Sequence, residues 1–331
     1  MKNLLNIAVL LIPMLLAACQ NNYEGKEIQK ILKPSQKIGD TLYFSFNNNH
    51  IILNSIIEGR IKARLIYDTG AGGNLYFDSA FTVKSNWFKP SSEHVQDTLK
   101  KMSWGEYANQ KYLFSKRKLL FQLGGIRDTL PYTVITNLFK VIKGKADGII
   151  GNNFMSKYVV EINYEKNYIV LHDPPKFRPT SEYSIIPIVF GTKTKLATLE
   201  LTFYLANGKQ FTRTCLFDSG VGKNEIALAN NKIIEQFDLF NQLQNGVTEI
   251  KDFTTMHTNY RETSVGQLKS VRIGNNLFID TPKVRLLFDK SLGQEYANLN
   301  TLVGNYIFKK FGRIVIDYQN DKIYIPKEIA K

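Results

Sequence analysis

What this chain can fold into is limited most by a pattern that occurs twice. Leu65-Ile66-Tyr67-Asp68-Thr69-Gly70-Ala71 is a run of apolar residues ending in a carboxylate, a hydroxyl residue and a glycine. It returns 150 positions later as Cys215-Leu216-Phe217-Asp218-Ser219-Gly220-Val221. Each copy has a second landmark downstream. Ile149-Ile150-Gly151-Asn152 places its glycine 83 residues beyond Asp68, and Leu302-Val303-Gly304-Asn305 places its glycine 86 residues beyond Asp218. An aromatic residue follows soon after each, Phe154 and Tyr306. Both then run into two apolar stretches split by a polar turn, Glu165-Lys166-Asn167 in the first half and Gln319-Asn320-Asp321 in the second. Agreement of order, spacing and residue type across these points identifies an internal duplication of about 150 residues.

The stretches before the aspartates read as hairpins. Residues 51–57 are rich in isoleucine, Glu58-Gly59-Arg60 is a turn, and residues 61–67 form a strand leading to Asp68. In the second half, residues 199–205 alternate, Asn207-Gly208 signals a tight hairpin, and residues 211–217 lead to Asp218. Each aspartate thus stands just beyond the inner strand of a hairpin. Phe and Tyr are abundant and strand-like segments outnumber helical ones, so the chain reads as mostly β. The best helical stretch is residues 230–243, with Ile233, Ile234, Phe237 and Phe240 at helical spacing.

On these residues the chain resembles the aspartic peptidases of the pepsin and retropepsin type. The resemblance rests on Asp68-Thr69-Gly70, Asp218-Ser219-Gly220 and the apolar-apolar-Gly sequence beyond each. It spans the body as a landmark pattern, not as continuous similarity. It implies a bilobal acid-protease fold: two β-barrel lobes related by a pseudo-twofold axis, with an active-site cleft between them. The expected lobes are residues 38–178 and 179–331, with Pro174, Pro175 and Pro179 in the linker. The resemblance implies that Asp68 and Asp218 are the catalytic pair of an endopeptidase acting on peptides or proteins, without cofactor or metal. It also implies that Thr69 and Ser219 brace the two loops across the lobe interface. Gly70 and Gly220 would permit the sharp turn after each aspartate and close approach of substrate. Two carboxylates so near cannot both ionise readily, so the pair shares a proton. The charged member activates water and the protonated one donates to the scissile carbonyl, with neither role assigned from sequence. Pepsin-like enzymes often carry Ser or Thr one residue after the glycine. Here Ala71, the choice of retropepsins, and Val221 stand there. Losing that donor predicts activity at weakly acidic to near-neutral pH.

Residues 98–104 and 112–121 read as a hairpin with its tip near Gly105. Trp104 and Tyr107 would then touch substrate as a flap, or lie on an ordinary surface hairpin. Residues 253–266 occupy the matching region of the second half, as a second flap or a loop.

The N-terminus has its own signature. Lys2 and the apolar residues 4–18 form the first two regions of a secretory signal, too short for a comfortable membrane span. Leu16-Ala17-Ala18-Cys19 resembles the lipobox of bacterial lipoproteins. That implies a signal peptide over residues 1–18 and lipidation of Cys19; an ordinary secretion signal ending beside a cysteine is the alternative. Residues 19–37 are polar and read as a tether. Gln20 follows the cysteine, where aspartate would suggest inner-membrane retention, so the expected location is the bacterial cell envelope, on the outer membrane, at either face. No propeptide is legible after Cys19, and activity is expected without zymogen processing. Cys215 would have no disulfide partner and suits a buried thiol.

The formal net charge is +14, yet the basic residues are scattered, which argues against a nucleic-acid partner. There is no His-Glu-x-x-His, Gly-x-Ser-x-Gly or phosphate-loop motif, and His50, His94, His172 and His257 are dispersed. Two lobes in one chain suit a monomer. Because fold does not imply function, a catalytically inactive peptide- or glycan-binding envelope lipoprotein of the same fold is the alternative. A structural envelope protein whose basic face meets lipid is a third reading.

Overall fold

The two halves build the same arrangement of strands from different residues. The computed structural model describes residues 41–87, 98–101, 111–190, 196–221, 226–228, 230–249, 253–254, 259–260, 262–275, 277–288 and 301–327. The signal peptide, Cys19, the tether, Trp104 and Tyr107 lie outside the described residues. No helix among the described residues is long and apolar enough to cross a membrane.

In the first half His50–Ile57 pairs antiparallel with Ile61–Tyr67. Glu58 and Gly59 turn between them at φ 51° and 69°, the left-handed region that a tight hairpin needs. In the second half Ala197–Tyr204 pairs with Gln210–Phe217, and Gly208 turns at φ 83°. The apolar-apolar-Gly landmarks are short central strands. Gly148–Ile150 lies parallel to Ile61–Tyr67, with Ile150 beside Tyr67, and antiparallel to Leu75–Asp78. Thr301–Val303 lies parallel to Gln210–Phe217, with Val303 beside Phe217, and antiparallel to Ile226–Leu228. Strands covered on both faces have no polar side to show, hence their unbroken apolar runs. The next neighbours match as well: Leu75–Asp78 is parallel to Thr133–Thr136, and Ile226–Leu228 to Lys283–Phe288.

The halves are joined behind these barrels by six antiparallel strands. Their order is Tyr183–Pro187, Lys322–Pro326, Arg313–Asp317, Val159–Asn163, Tyr168–His172 and Thr41–Asn47. At the centre Val159 pairs with Asp317 and Asn163 with Arg313, so equivalent strands meet in a reciprocal register. A pseudo-twofold axis therefore passes between Glu161 and Val315, which face each other there. Pro174–Lys176 forms a single helical turn before Tyr183–Pro187, which enters this joining sheet. The chain is mostly β and bilobal, the architecture of an acid protease. Phe121 and Phe154 meet edge-to-face at 5.1 Å in one barrel, and Phe217 and Phe308 meet with tilted rings at 4.3 Å in the other. Burying each such ring contributes about 1.5–3 kcal/mol.

Three local expectations need correction. Residues 230–243 do not form one helix. The Asn230 side chain caps Asn231–Gln236 by accepting from the Ile233 N–H at 2.9 Å. Asp238 then takes φ 50°, and a second turn, Leu239–Gln242, starts afresh. Ile234 and Leu239 are both buried. On one straight helix, residues five apart would point roughly 140° from each other, so the break lets both reach the core. The first-half hairpin has its base where expected, with Thr98–Lys101 against Lys111–Ser115, but its second arm ends at Ser115. After the exposed Lys116-Arg117-Lys118, Leu119–Leu123 pairs instead with Ile126–Leu130. In the second half, residues 253–266 belong to a longer hairpin. Gln244–Glu249 pairs with Glu262–Gln267, and Phe253–Thr254 with Asn259–Tyr260 further out.

Candidate active site

Each aspartate leaves its strand through the same set of backbone bonds. The Asp68 N–H donates to the Ile150 carbonyl at 3.0 Å, and the Asp218 N–H to the Val303 carbonyl at 3.0 Å. The Gly70 N–H donates to Asp68 Oδ1 at 2.8 Å, and the Gly220 N–H to Asp218 Oδ1 at 2.8 Å. Parallel pairing with the central strand thus ends one residue short of each aspartate and turns its carboxyl toward the other lobe.

The hydroxyl residues lock the two loops together. The Thr69 N–H donates to Ser219 Oγ at 2.9 Å, and the Ser219 N–H to Thr69 Oγ1 at 2.9 Å. In turn Thr69 Oγ1 donates to the Phe217 carbonyl and Ser219 Oγ to the Tyr67 carbonyl, both at 2.8 Å. All four bonds cross between the halves, and both side chains are fully buried.

The glycines act through space, not through turn geometry. Neither Gly70 nor Gly220 takes a positive φ. A Cβ on Gly70 would lie 2.7 Å from the Asp218 carboxyl carbon, and one on Gly220 would lie 2.5 Å from Asp68 Oδ2. Each glycine therefore makes room for the opposite aspartate. This corrects the expectation that a sharp turn requires glycine there; close approach requires it.

The carboxyls of Asp68 and Asp218 are hydrogen-bonded to each other. Burial raises Asp68 above the ordinary carboxylate value. Burial raises Asp218 further, helped by the charge on Asp68 beside it. A pair in this state holds one proton between two oxygen acids over a broad pH range. Neither Ala71 nor Val221 carries a hydroxyl to add a donor.

Two further side-chain sets support the loops, and sequence reading assigned them no role. The Asn152 side chain donates to the Thr69 carbonyl and accepts from the Tyr318 hydroxyl at 2.6 Å. The Asn305 side chain donates to the Ser219 carbonyl at 3.0 Å and accepts from the Tyr164 hydroxyl at 2.9 Å. Each asparagine thus holds its own lobe's loop and is oriented by a tyrosine at the end of the other lobe's joining strand. The signal was in the repeat: a Gly-Asn pair in both landmarks, and a Tyr at the same place after each following strand. The other set is His50. Its Nε2 lies 3.0 Å from the Gly220 carbonyl, so that nitrogen is the protonated donor. Its Nδ1 is buried without a hydrogen-bond partner. No repeat marks this residue, because its counterpart is Leu196.

Cys215 is fully buried, and burial pushes its thiol up, away from nucleophilic use. Among the described residues no group of His, Cys, Asp and Glu is placed to hold a metal ion.

Fold and site together define a bilobal acid-protease architecture with two facing aspartates. No protein-family model and no curated protein matches the sequence. Among solved structures the chain is similar to basic 7S globulin from soybean, with a TM-score of 0.51 and 9% identity over 88% of this chain and 95% of that one. It also matches edgp, with a TM-score of 0.46 and 10% identity over 88% of this chain and 95% of that one. A retropepsin-like aspartic protease from Rickettsia conorii matches 45% of this chain and 95% of its own, with a TM-score of 0.30 and 15% identity. At such identities the soybean likeness speaks for the fold alone.

Proposed function

We propose that the chain is an aspartic endopeptidase. The observation that carries this reading is the facing, hydrogen-bonded pair of buried carboxyls, Asp68 and Asp218, in a site braced from both lobes. A water between them gives its proton to the charged carboxylate as its oxygen bonds to the scissile carbonyl carbon. The protonated carboxyl donates to the carbonyl oxygen in the same step. The tetrahedral intermediate then collapses: the C–N bond breaks, the leaving amine takes the proton from the protonated carboxyl, and a hydroxyl of the intermediate gives its proton to the ionised one, which restores the pair. Peptides or proteins are the substrate, and no cofactor takes part. Weakly acidic to near-neutral pH suits a pair that lacks a hydroxyl donor at Ala71 and Val221. The lipobox-like Leu16-Ala17-Ala18-Cys19 supports an envelope lipoprotein anchored through Cys19, acting as a monomer built from a first lobe over residues 38–178 and a second over 179–331. Loss of lipid labelling in Cys19→Ala tests the anchor.

The fold is also found in a protein whose name is that of a globulin and not of a peptidase. The alternative is therefore a cleft that binds peptide or glycan without cutting it. Digestion of a mixed peptide library by wild type, Asp68→Asn and Asp218→Asn at several pH values separates the two. Cleavage by wild type alone, blocked by pepstatin, is expected. No cleavage by any form would favour the binding protein, and cleavage by both variants would sink the assignment of the pair.

A further inference from the structure

The hydrogen bonds around Asp68 and Asp218 are nearly the same in both lobes, except that the Gly220 N–H also favours the charged form of Asp68. Among the described residues a side chain near the pair breaks the symmetry further. Extending the hairpin registers by one residue sets His50 opposite Asp68 and Leu196 opposite Asp218. An imidazole stands on one side and an aliphatic side chain on the other.

The geometry ties His50 to both aspartates through one residue. Its Nε2–H donates to the Gly220 carbonyl, and the Gly220 N–H donates to Asp218 Oδ1. Gly220 also packs directly against the Asp68 carboxylate. The imidazole therefore fixes the peptide segment that lies between the two carboxyls. Only 9% of His50 is exposed, so water screens it weakly. Among the described residues the charged groups that face it are Asp68, whose anion favours protonation of the ring, and Lys145, beyond the helix Phe139–Ile142, which opposes it. The Asn47 backbone beside the ring favours a proton on it.

We infer that His50 is a positioning residue that makes the two aspartates unequal, placing the shared negative charge on Asp68 and the shared proton on Asp218. Asp68 is then the base toward water and Asp218 the donor to the carbonyl. The inference rests on the peptidase reading for its catalytic meaning, but not for the placement of the proton. Burial lowers the ring's midpoint below that of an ordinary imidazole, so His50 is a cation only on the acid side. There it favours the ionisation of Asp68 by holding down the pH at which that carboxyl releases its proton. Above its midpoint it is neutral and acts only through the Gly220 carbonyl.

Two measurements test this. The first follows the histidine ring signals by NMR from about pH 4 to 8, a span around the ordinary imidazole value, in wild type, Asp68→Asn and Asp218→Asn. His50→Gln identifies the His50 signal by its loss. Asp68→Asn is expected to lower the His50 midpoint clearly, since the anion that favours its proton is gone. Asp218→Asn is expected to change it much less. Equal shifts, or none, would overturn the inference, and this readout needs no enzymatic activity. The second compares kcat and KM against pH for wild type, His50→Gln and His50→Leu. Gln can still donate to the Gly220 carbonyl but carries no charge, so its acidic limb is expected to move up by about half to one pH unit with kcat on the plateau retained. Leu, which copies the other lobe, is expected to move the limb equally and to lower kcat about tenfold with little change in KM. Profiles superimposable on wild type would refute the role. A wild type that cleaves nothing would refute the peptidase reading and leave the NMR result to decide the proton's place.

Discussion

The two lobes share a backbone design, and their differences lie where equivalent residues meet at the axis. Asp68 and Asp218, Thr69 and Ser219, and Asn152 and Asn305 make matching bonds. The tyrosine supports do not match fully. Tyr318 donates to Asn152 and so must accept from Tyr67, whose hydroxyl is 2.9 Å away. Tyr164 donates to Asn305, but the counterpart of Tyr67 is Phe217, which has no hydroxyl. Behind them Glu161 bonds His172 and pairs with Arg313, where the opposing position holds Val315. Duplication supplied a symmetric frame, and single substitutions gave the first lobe more polar contacts near the axis than the second.

The largest effect is expected where symmetry is complete. Gly70→Ala and Gly220→Ala each push a methyl into the opposite carboxylate. Both are expected to lower kcat/KM by about 100-fold or more, as a misplacement near 1 Å does. Peptide cleavage kinetics would check this, and a large inequality between the two would break the equivalence of the loops.

The tyrosines come next. Tyr318→Phe removes two hydrogen bonds and Tyr164→Phe one. Leaving such buried groups unpaired costs about 1–3 kcal/mol each. Urea denaturation is expected to show Tyr318→Phe as the more destabilised. Equal losses would mean that the Tyr67 hydroxyl adds nothing.

A smaller effect concerns pH. Because burial raises Asp218, the folded state holds a proton that the unfolded chain has released above the ordinary carboxylate value. Stability then declines as pH rises from that value toward the raised one. In Asp218→Asn the decline is expected to flatten, so melting temperatures measured at pH 4 and pH 7 should lie closer together than in wild type.

The smallest effect belongs to the joining sheet. The His172 bond lowers the Glu161 carboxyl below its ordinary value, so the pair stabilises the fold above that value, and the contribution is lost as pH falls from it through the lowered one. His172→Gln is expected to cost about 0.5 kcal/mol at pH 6, as partly exposed pairs do, with no change at all in the active-site loops.

Much of this was legible in the sequence for a physical reason. Hairpins, central strands and aspartate loops are local, and the apolar runs, Asn207-Gly208 and Asp-Thr/Ser-Gly patterns reflect neighbours along the chain. The 230–243 stretch misled because periodicity reports an amphipathic surface and not where a helix must break to reach the core. Gly70 and Gly220 were recognised for the wrong cause: their need arises from an aspartate 150 residues away. His50 left no signal, since a lone histidine before an isoleucine run looks like any strand end.

By itself the sequence determined the duplication, the mostly β class, the hairpin before each aspartate and, through the resemblance its repeated motifs carry, the bilobal architecture. These follow from residue order, because repeated local patterns fold to repeated local structures. Only the tertiary structure decided what crosses the axis: Thr69 against Ser219, the exchanged tyrosines, and an imidazole facing one aspartate while Leu196 is the counterpart facing the other. Those contacts join residues far apart in the chain, and the distance between two side chains is set only when both halves have packed.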